Sequence, residues 1–243
     1  MNVASGTGSA FQLPSDVVEM VEVAKRIVRK ELLPLEQEFL PHPGHAFGIK
    51  ETTNLKRVFG DDVVQHLTKI SRDTGLWYLM VPEEHGGAGL SMLAQVAILE
   101  QFNYTAVPFP FANVANILYS CKGDQVDRFL KPVIDGDMTT CFAQTEPNAG
   151  SDPGGMMQTR AVRDGGDWVI NGTKMWISGA AESDMIMVQA VTDTEKRQRG
   201  GITMFLVMRN NPGARIEEPG IKTWLGPHAS QYNVHFANCR VPE

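Results

Sequence analysis

Cys141-Phe-Ala-Gln-Thr-Glu-Pro-Asn-Ala-Gly-Ser-Asp152, answered further on by Gly172-Thr-Lys-Met-Trp-Ile-Ser-Gly179, is the stretch from which the fold of this chain is read. The first segment alternates small and apolar residues until Glu146-Pro147 breaks it into a loop carrying Gly150, Ser151 and Asp152. Glycine lets backbone approach a ligand closely, and successive loop N–H groups can form a concave anion site. In the second segment Trp176 and Ser178 fall on one strand face, because strand side chains repeat every two residues. A flat aromatic beside a small hydroxyl suits a planar ring that takes hydrogen bonds.

Outward from these segments, the pattern divides the chain. Gly136-Asp137 closes a helical half, and strand-like runs follow. Asp16 and Glu19 have capping-box spacing, and Val17, Val21, Ala24, Ile27 and Val28 repeat at helical intervals. Pro34 is expected to disrupt that helix, and Pro41-His-Pro-Gly44 to form a loop. Val63, Val64, Leu67 and Ile70 make a second stripe ending near Gly75. Ser91 can cap a third helix that buries Ala94, Ala97, Ile98 and Phe102. Shorter helical patterns run through 112–120 and 125–134. Beyond them, Thr159–Val162 and Trp168–Ile170 flank the turn Asp164-Gly-Gly-Asp167. Asn171-Gly172 reads as a further turn leading into Lys174–Ser178. Met185–Val191, Ile202–Val207 and Tyr232–Phe236 add strands, with a charged loop at Thr192–Gly201. The expectation is an α+β protein: an N-terminal α-helical domain at 1–137 and an antiparallel, β-barrel-like domain at 138–243. No helix separates the strands and no GxGxxG turn is present, which argues against a doubly wound, Rossmann-type sheet.

Composition narrows the class. The chain has 243 residues, enough for one or two domains with a sizeable core, and 42% hydrophobic with 21% charged residues is ordinary globular usage. A net charge of −6 argues against a nucleic-acid partner, which favours clustered Lys and Arg. Three cysteines without CxxC spacing point to packed thiols rather than disulfides or zinc. His85 in Glu83-Glu84-His85 lacks HExxH spacing, and the remaining histidines are scattered, so no metal site is expected. No stretch is long and apolar enough to span a membrane. Met1–Ser9 lacks the basic start and apolar core of a signal peptide and is poor in arginine, which makes cytoplasmic localisation the expectation.

The two signature segments resemble the flavin-binding signatures of the acyl-CoA dehydrogenase family. Gly75-Leu-Trp-Tyr-Leu-Met-Val-Pro-Glu-Glu-His-Gly-Gly-Ala-Gly-Leu90 is similar to that family's N-terminal glycine-rich loop. Gly201–Val207 and Val234–Pro242 are similar to its later β strands. The resemblance implies FAD held by Phe142, Gln144, Thr145, Gly150, Ser151, Trp176, Ile177 and Ser178. Within that set, Gln144 would act through its backbone and Thr145 would lie beside the isoalloxazine ring. Ser151 would touch the FAD diphosphate and border the acyl-CoA channel, so it also counts as substrate-binding. Trp176 would pack beside the flavin, and Ser178, in place of the commoner threonine, would sit near flavin N5.

The implied activity is an oxidoreductase of fatty-acid metabolism that introduces an α,β double bond into an acyl-CoA thioester. Electrons would pass to an electron-transferring flavoprotein, and the family suggests a homodimer or homotetramer. Family members carry the catalytic base on a C-terminal helical domain. The sequence here stops at Glu243, so no catalytic residue is named and the 243-residue chain alone is expected to be inactive. Flavin oxidases, nitroalkane oxidases and monooxygenases of the same fold are alternatives, as is a non-catalytic partner subunit.

Taken singly, Trp176 could fill a core and Ser151 could cap a turn; their joint occurrence in two ordered signatures carries the flavin reading. Glu146 reads as a loop-stabilising carboxylate and Asp152 as turn chemistry. Arg197 and Arg199 read as a solvated loop in preference to a CoA-phosphate contact. Gly226–Tyr232 departs from the family pattern at Gln231 and Tyr232.

Overall fold

The computed structural model describes residues 13–39, 59–221 and 231–243. The expected loop at Pro41–Gly44, His42, His45 and His228, and the Gly226–Ser230 part of the departing segment lie outside the described residues. Residues 13–39 and 62–111 form one compact unit; residues 59–61, 112–221 and 231–243 form another.

The first unit is helical. Helix α1 (Ser15–Ile27) buries Val17, Val21, Ala24 and Ile27, the stripe expected from the sequence. Its start differs from the capping-box reading. Pro14 occupies the cap position and its carbonyl accepts the Val18 N–H, while Asp16 sits inside the first turn without a capping bond. There its negative charge still favours the positive end of the helix dipole. Pro34 does not end the helix. A π turn at Val28–Leu32 precedes α2 (Leu33–Phe39), with the Leu33 N–H reaching back to the Val28 carbonyl. Widening the turn absorbs the hydrogen bond and the space that a proline ring takes from an α-helix.

Helix α3 (Asp61–Asp73) and helix α4 (Met92–Phe102) complete this layer. Ser91 caps α4 by accepting the Ala94 N–H at 3.3 Å. Helix α1 packs on α4, whose Ala94, Ile98 and Phe102 are buried. The ring of Phe102 stacks on Phe109 at 4.6 Å and meets Phe111 edge-on.

In the second unit a short helix α5 (Lys131–Asp135) leads into a curled seven-stranded sheet. The strands are β1 (Thr140–Ala143), β2 (Arg160–Asp164), β3 (Asp167–Ser178), β4 (Met185–Val191), β5 (Ile202–Met208), β6 (Ala214–Ile216) and β7 (Gln231–Pro242). Their order is β1-β4-β2-β3-β7-β6, with β5 also paired to β4. The α+β architecture is as expected, and the sheet is mixed: β1 and β2 each meet β4 in parallel, and the other pairings are antiparallel. Strand β4 is buried along nearly its whole length, which explains why Met185–Val191 reads as a continuous apolar run rather than an alternating one. Cys141, Ala143, Ile170, Ile177, Val188, Phe205 and Val234 are among the residues of the core beneath it.

The Asn171-Gly172 turn is not formed: β3 runs unbroken through both residues. Gly172 is there for a close approach. A Cβ at this position would lie 2.6 Å from the Thr159 Cα and 2.3 Å from its Oγ1, so only glycine fits. Asn171 accepts the Asn238 N–H at 2.8 Å, inside a bulge of β7. The actual hairpin turn is Gly165-Gly166, between β2 and β3. Strand β6 had no clear sequence signal, being only three residues long.

Candidate active site

The two signature segments meet where β1 ends. Along β1, Cys141 and Ala143 point into the core and Phe142 points out, 44% exposed. Gln144 sends its side-chain amide to Gln189 of β4 at 2.8 Å. The Thr145 carbonyl accepts the Met175 N–H at 2.8 Å, and this bond brings the end of the first signature against the middle of the second.

Strand β3 answers with a bulge. Lys174 pairs with Val234 and Ile177 with Tyr232, so Met175 and Trp176 together face a single residue of β7. Trp176 is the extra residue, and its φ of 62° lies in the left-handed region, an outlier for a bulky side chain. The bulge resets the alternation. Lys174 and Ile177, three residues apart, both point inward, while Trp176 (49% exposed) and Ser178 point outward. Trp176 and Ser178 thus share the open side, as the sequence suggested, but across a bulge rather than along a regular strand. The side chain of Ile177 belongs to the core, so only its backbone can reach a ligand.

Beneath this face lies an ion pair. Lys174 is fully buried and Glu146 is 5% exposed. The Lys174 Nζ donates to Glu146 Oε1 at 2.9 Å and to the Gln144 carbonyl at 3.0 Å. Glu146 also accepts the Gln158 N–H at 2.6 Å and the Thr159 N–H at 3.0 Å. Burial pushes the Glu146 carboxyl up, but the hydrogen bonds from Thr159, Gln158 and Lys174 outweigh it and hold the carboxyl below its ordinary value. Burial pushes the Lys174 ammonium down, and Glu146 offsets part of that. The loop-stabilising role read for Glu146 is therefore visible; its partner was not. In a regular strand Lys174 would share the face of Trp176 and Ser178, and only the bulge turns it inward.

The loop after Pro147 is braced from two sides. Asp152 accepts the Gly155 N–H at 2.9 Å, at the start of one short helical turn, Pro153–Met156. Arg197 donates from Nε to the Gly155 carbonyl and from Nη2 to the Met157 carbonyl, both at 2.8 Å. Arg197 therefore anchors this loop. Gly150 and Ser151 are exposed at its tip. The hydroxyls of Thr145, Ser151 and Ser178 have no hydrogen-bond partner among the described residues. Trp168, by contrast, packs edge-on against Phe205 at 5.6 Å and lies under Arg163. Among the described residues no group of three or more His, Cys, Asp or Glu could hold a metal ion, and no helix is long and apolar enough to cross a membrane.

The unit therefore presents two outward aromatics, three uncommitted hydroxyls and a braced glycine loop, a donor set that fits a large planar cofactor with a charged tail. The chain matches the family model for the acyl-CoA dehydrogenase N-terminal domain at residues 15–137 and that for the acyl-CoA dehydrogenase middle domain at 141–239. It is 31% identical over 241 residues to (R)-benzylsuccinyl-CoA dehydrogenase of Thauera aromatica, covering 95% of this chain and 57% of that protein. It is 37% identical over 242 residues to the mitochondrial short-chain specific acyl-CoA dehydrogenase of Rattus norvegicus, covering 96% of this chain and 53% of that one. The chain thus spans little more than half the length of these relatives.

Among solved structures, a chain from the electron transferring flavoprotein study of Acidaminococcus fermentans superposes with a TM-score of 0.70 at 25% identity, covering 96% of this chain and 57% of that one. The acyl-CoA dehydrogenase from Geobacillus kaustophilus shares the fold, with a TM-score of 0.70 at 22% identity, covering 96% of this chain and 58% of that one. The signature segments lie inside the matched middle domain, and both halves of the chain match in order: it belongs to the acyl-CoA dehydrogenase family.

Proposed function

We propose that this chain supplies the flavin-facing part of a FAD-dependent acyl-CoA dehydrogenase, with its functional division at 137/138. One observation carries the reading: Phe142 on β1 and Trp176 on β3 both stand outward, where the Thr145 carbonyl and the Met175 N–H tie the two signatures together, and the hydroxyls of Thr145 and Ser178 in the same segments are uncommitted. Phe142 and Trp176 offer apolar faces to a planar ring, which would shield it from water on that side. Thr145 and Ser178 offer hydroxyls that can donate to ring heteroatoms. Gly150 and Ser151 offer backbone N–H groups and a hydroxyl to the FAD diphosphate, and Ser151 also borders the acyl-CoA. Gln144 and Ile177 would contribute through their backbones. When bound, FAD supplies the acceptor for the hydride that leaves the acyl β-carbon. A carboxylate base takes the α-proton, and no residue of Met1–Glu243 is assigned that part. The protein's own contribution is alignment and hydrogen bonding.

Electron-transferring flavoprotein is the proposed electron acceptor and a homo-oligomer the proposed assembly, both carried over from the family. The test is release of FAD on denaturation of the purified protein, then anaerobic bleaching of the bound flavin against a panel of acyl-CoA thioesters. A folded protein that stays flavin-free after reconstitution would contradict the reading. Rapid reoxidation of the bleached flavin by oxygen would move it to an oxidase or monooxygenase.

A further inference from the structure

The chain at 144–146 is tied down at every residue. Gln144 is held through its carbonyl by Lys174 Nζ at 3.0 Å, Thr145 through its carbonyl by the Met175 N–H at 2.8 Å, and Glu146 through its carboxylate by Lys174 Nζ at 2.9 Å. Glu146 is in turn bonded to the N–H groups of Gln158 and Thr159, where β2 begins. One fully buried ammonium therefore joins the end of β1, the start of β2 and the residue of β3 just ahead of the Trp176 bulge.

Removing two charges from water is costly, and apolar residues of similar volume often replace a buried ion pair without loss. Here the pair also satisfies the Gln144 carbonyl and the N–H groups of Gln158 and Thr159. What an apolar pair cannot do is hold a carbonyl and a carboxylate on either side of one residue. That residue is Thr145, half-buried, whose hydroxyl is left uncommitted.

We propose that Lys174, acting with Glu146, is a positioning residue: it fixes Thr145 and the Trp176 bulge at the spacing the cofactor ring requires, without touching the cofactor. This deepens the flavin reading and rests on it.

The test compares Lys174→Met with the double variant Lys174→Met/Glu146→Leu. The single variant leaves a buried carboxylate unpaired and is expected to be the less stable. The double variant removes both charges but leaves the Gln144 carbonyl and the Gln158 and Thr159 N–H groups without these partners, so it is expected to fold with a thermal midpoint below that of the unmodified protein and above that of the single variant. In the double variant we expect FAD to bind at least tenfold more weakly and the visible spectrum of bound flavin to shift. We also expect the Met175 amide to exchange its hydrogen at least tenfold faster in the absence of FAD.

A folded double variant with unchanged FAD affinity, flavin spectrum and Met175 exchange would overturn the proposal and leave the pair a packing device. Failure of the unmodified protein to bind FAD would instead remove the flavin reading. The exchange measurement would then decide by itself whether Lys174 fixes the contact between Thr145 and Met175.

Discussion

Trp176 should show an inverted order of stability when it is truncated. Its φ of 62° is left-handed, a conformation that costs an L-residue roughly 1–2 kcal/mol and glycine nothing. In an ordinary strand the order favours alanine, because glycine loses more backbone freedom and is worse by about 0.5–1 kcal/mol. Trp176→Ala and Trp176→Gly both lose the half-exposed ring, so that loss cancels when they are compared. What remains is the left-handed cost less the glycine entropy, which makes the glycine variant the more stable by about 0.5–1 kcal/mol. In a domain of this size that is roughly 1–4 °C in thermal midpoint.

The assay is thermal and urea unfolding of the cofactor-free protein, followed by circular dichroism. Val162, 64% exposed in the regular part of β2, is the control, and there alanine should be the more stable. Both Trp176 variants should bind FAD equally poorly, since both lack the ring. The strain then lies at the ligand face, where a stable bulge is exchanged for the direction of one side chain. If Trp176→Ala proved as stable as Trp176→Gly while Val162 behaved normally, the left-handed residue would carry no strain and the reasoning would fail.

Three further outcomes are expected. Trp176→Ala should lower FAD affinity more than Trp168→Ala does, because Trp168 packs against Phe205 in the core; equal affinities in the two folded variants, by titration, would favour a packing role for Trp176. Glu146 is held below its ordinary value of 4.5, so its contribution to stability is present above that pH and is lost as pH falls through the lower folded value. Lys174, lowered by burial, imposes a constant cost across that range. Urea midpoints should therefore fall below about pH 4.5, with a shallower fall in Glu146→Gln. Finally, a polypeptide of Met1–Glu243 with added FAD and an artificial acceptor should form no enoyl-CoA at a useful rate. Positioned acid–base groups contribute about 10²–10⁴-fold, and none is assigned within these residues. Robust turnover would show a base inside this range, with Glu146 the first to test.

The sequence by itself determined the α+β class, the buried stripe of α1, the cap of α4 and most strands, because these depend on local periodicity and on caps within a few residues. The two signatures also single out Thr145, Ser151, Trp176 and Ser178 as the set on which the proposed flavin site rests, because their residue types and spacing resemble the family's signature segments. Where local signals misled, a contact from elsewhere in the chain was usually the cause. Asn171-Gly172 reads as a turn, yet Thr159 presses against Gly172 and Asn238 occupies the Asn171 side chain, so the strand runs on. Pro34 reads as a helix end, yet a π turn carries the chain past it.

The burial of Lys174 was also decided only by tertiary structure. Its direction depends on how β3 registers against β7, which sets the bulge, and its partner Glu146 lies 28 positions earlier in the chain. Strand periodicity assigns a face only while the pairing stays regular. One extra residue reverses that assignment, and the register that inserts it is fixed by the core packing of Ile177 and Val234, not by the residues beside Lys174.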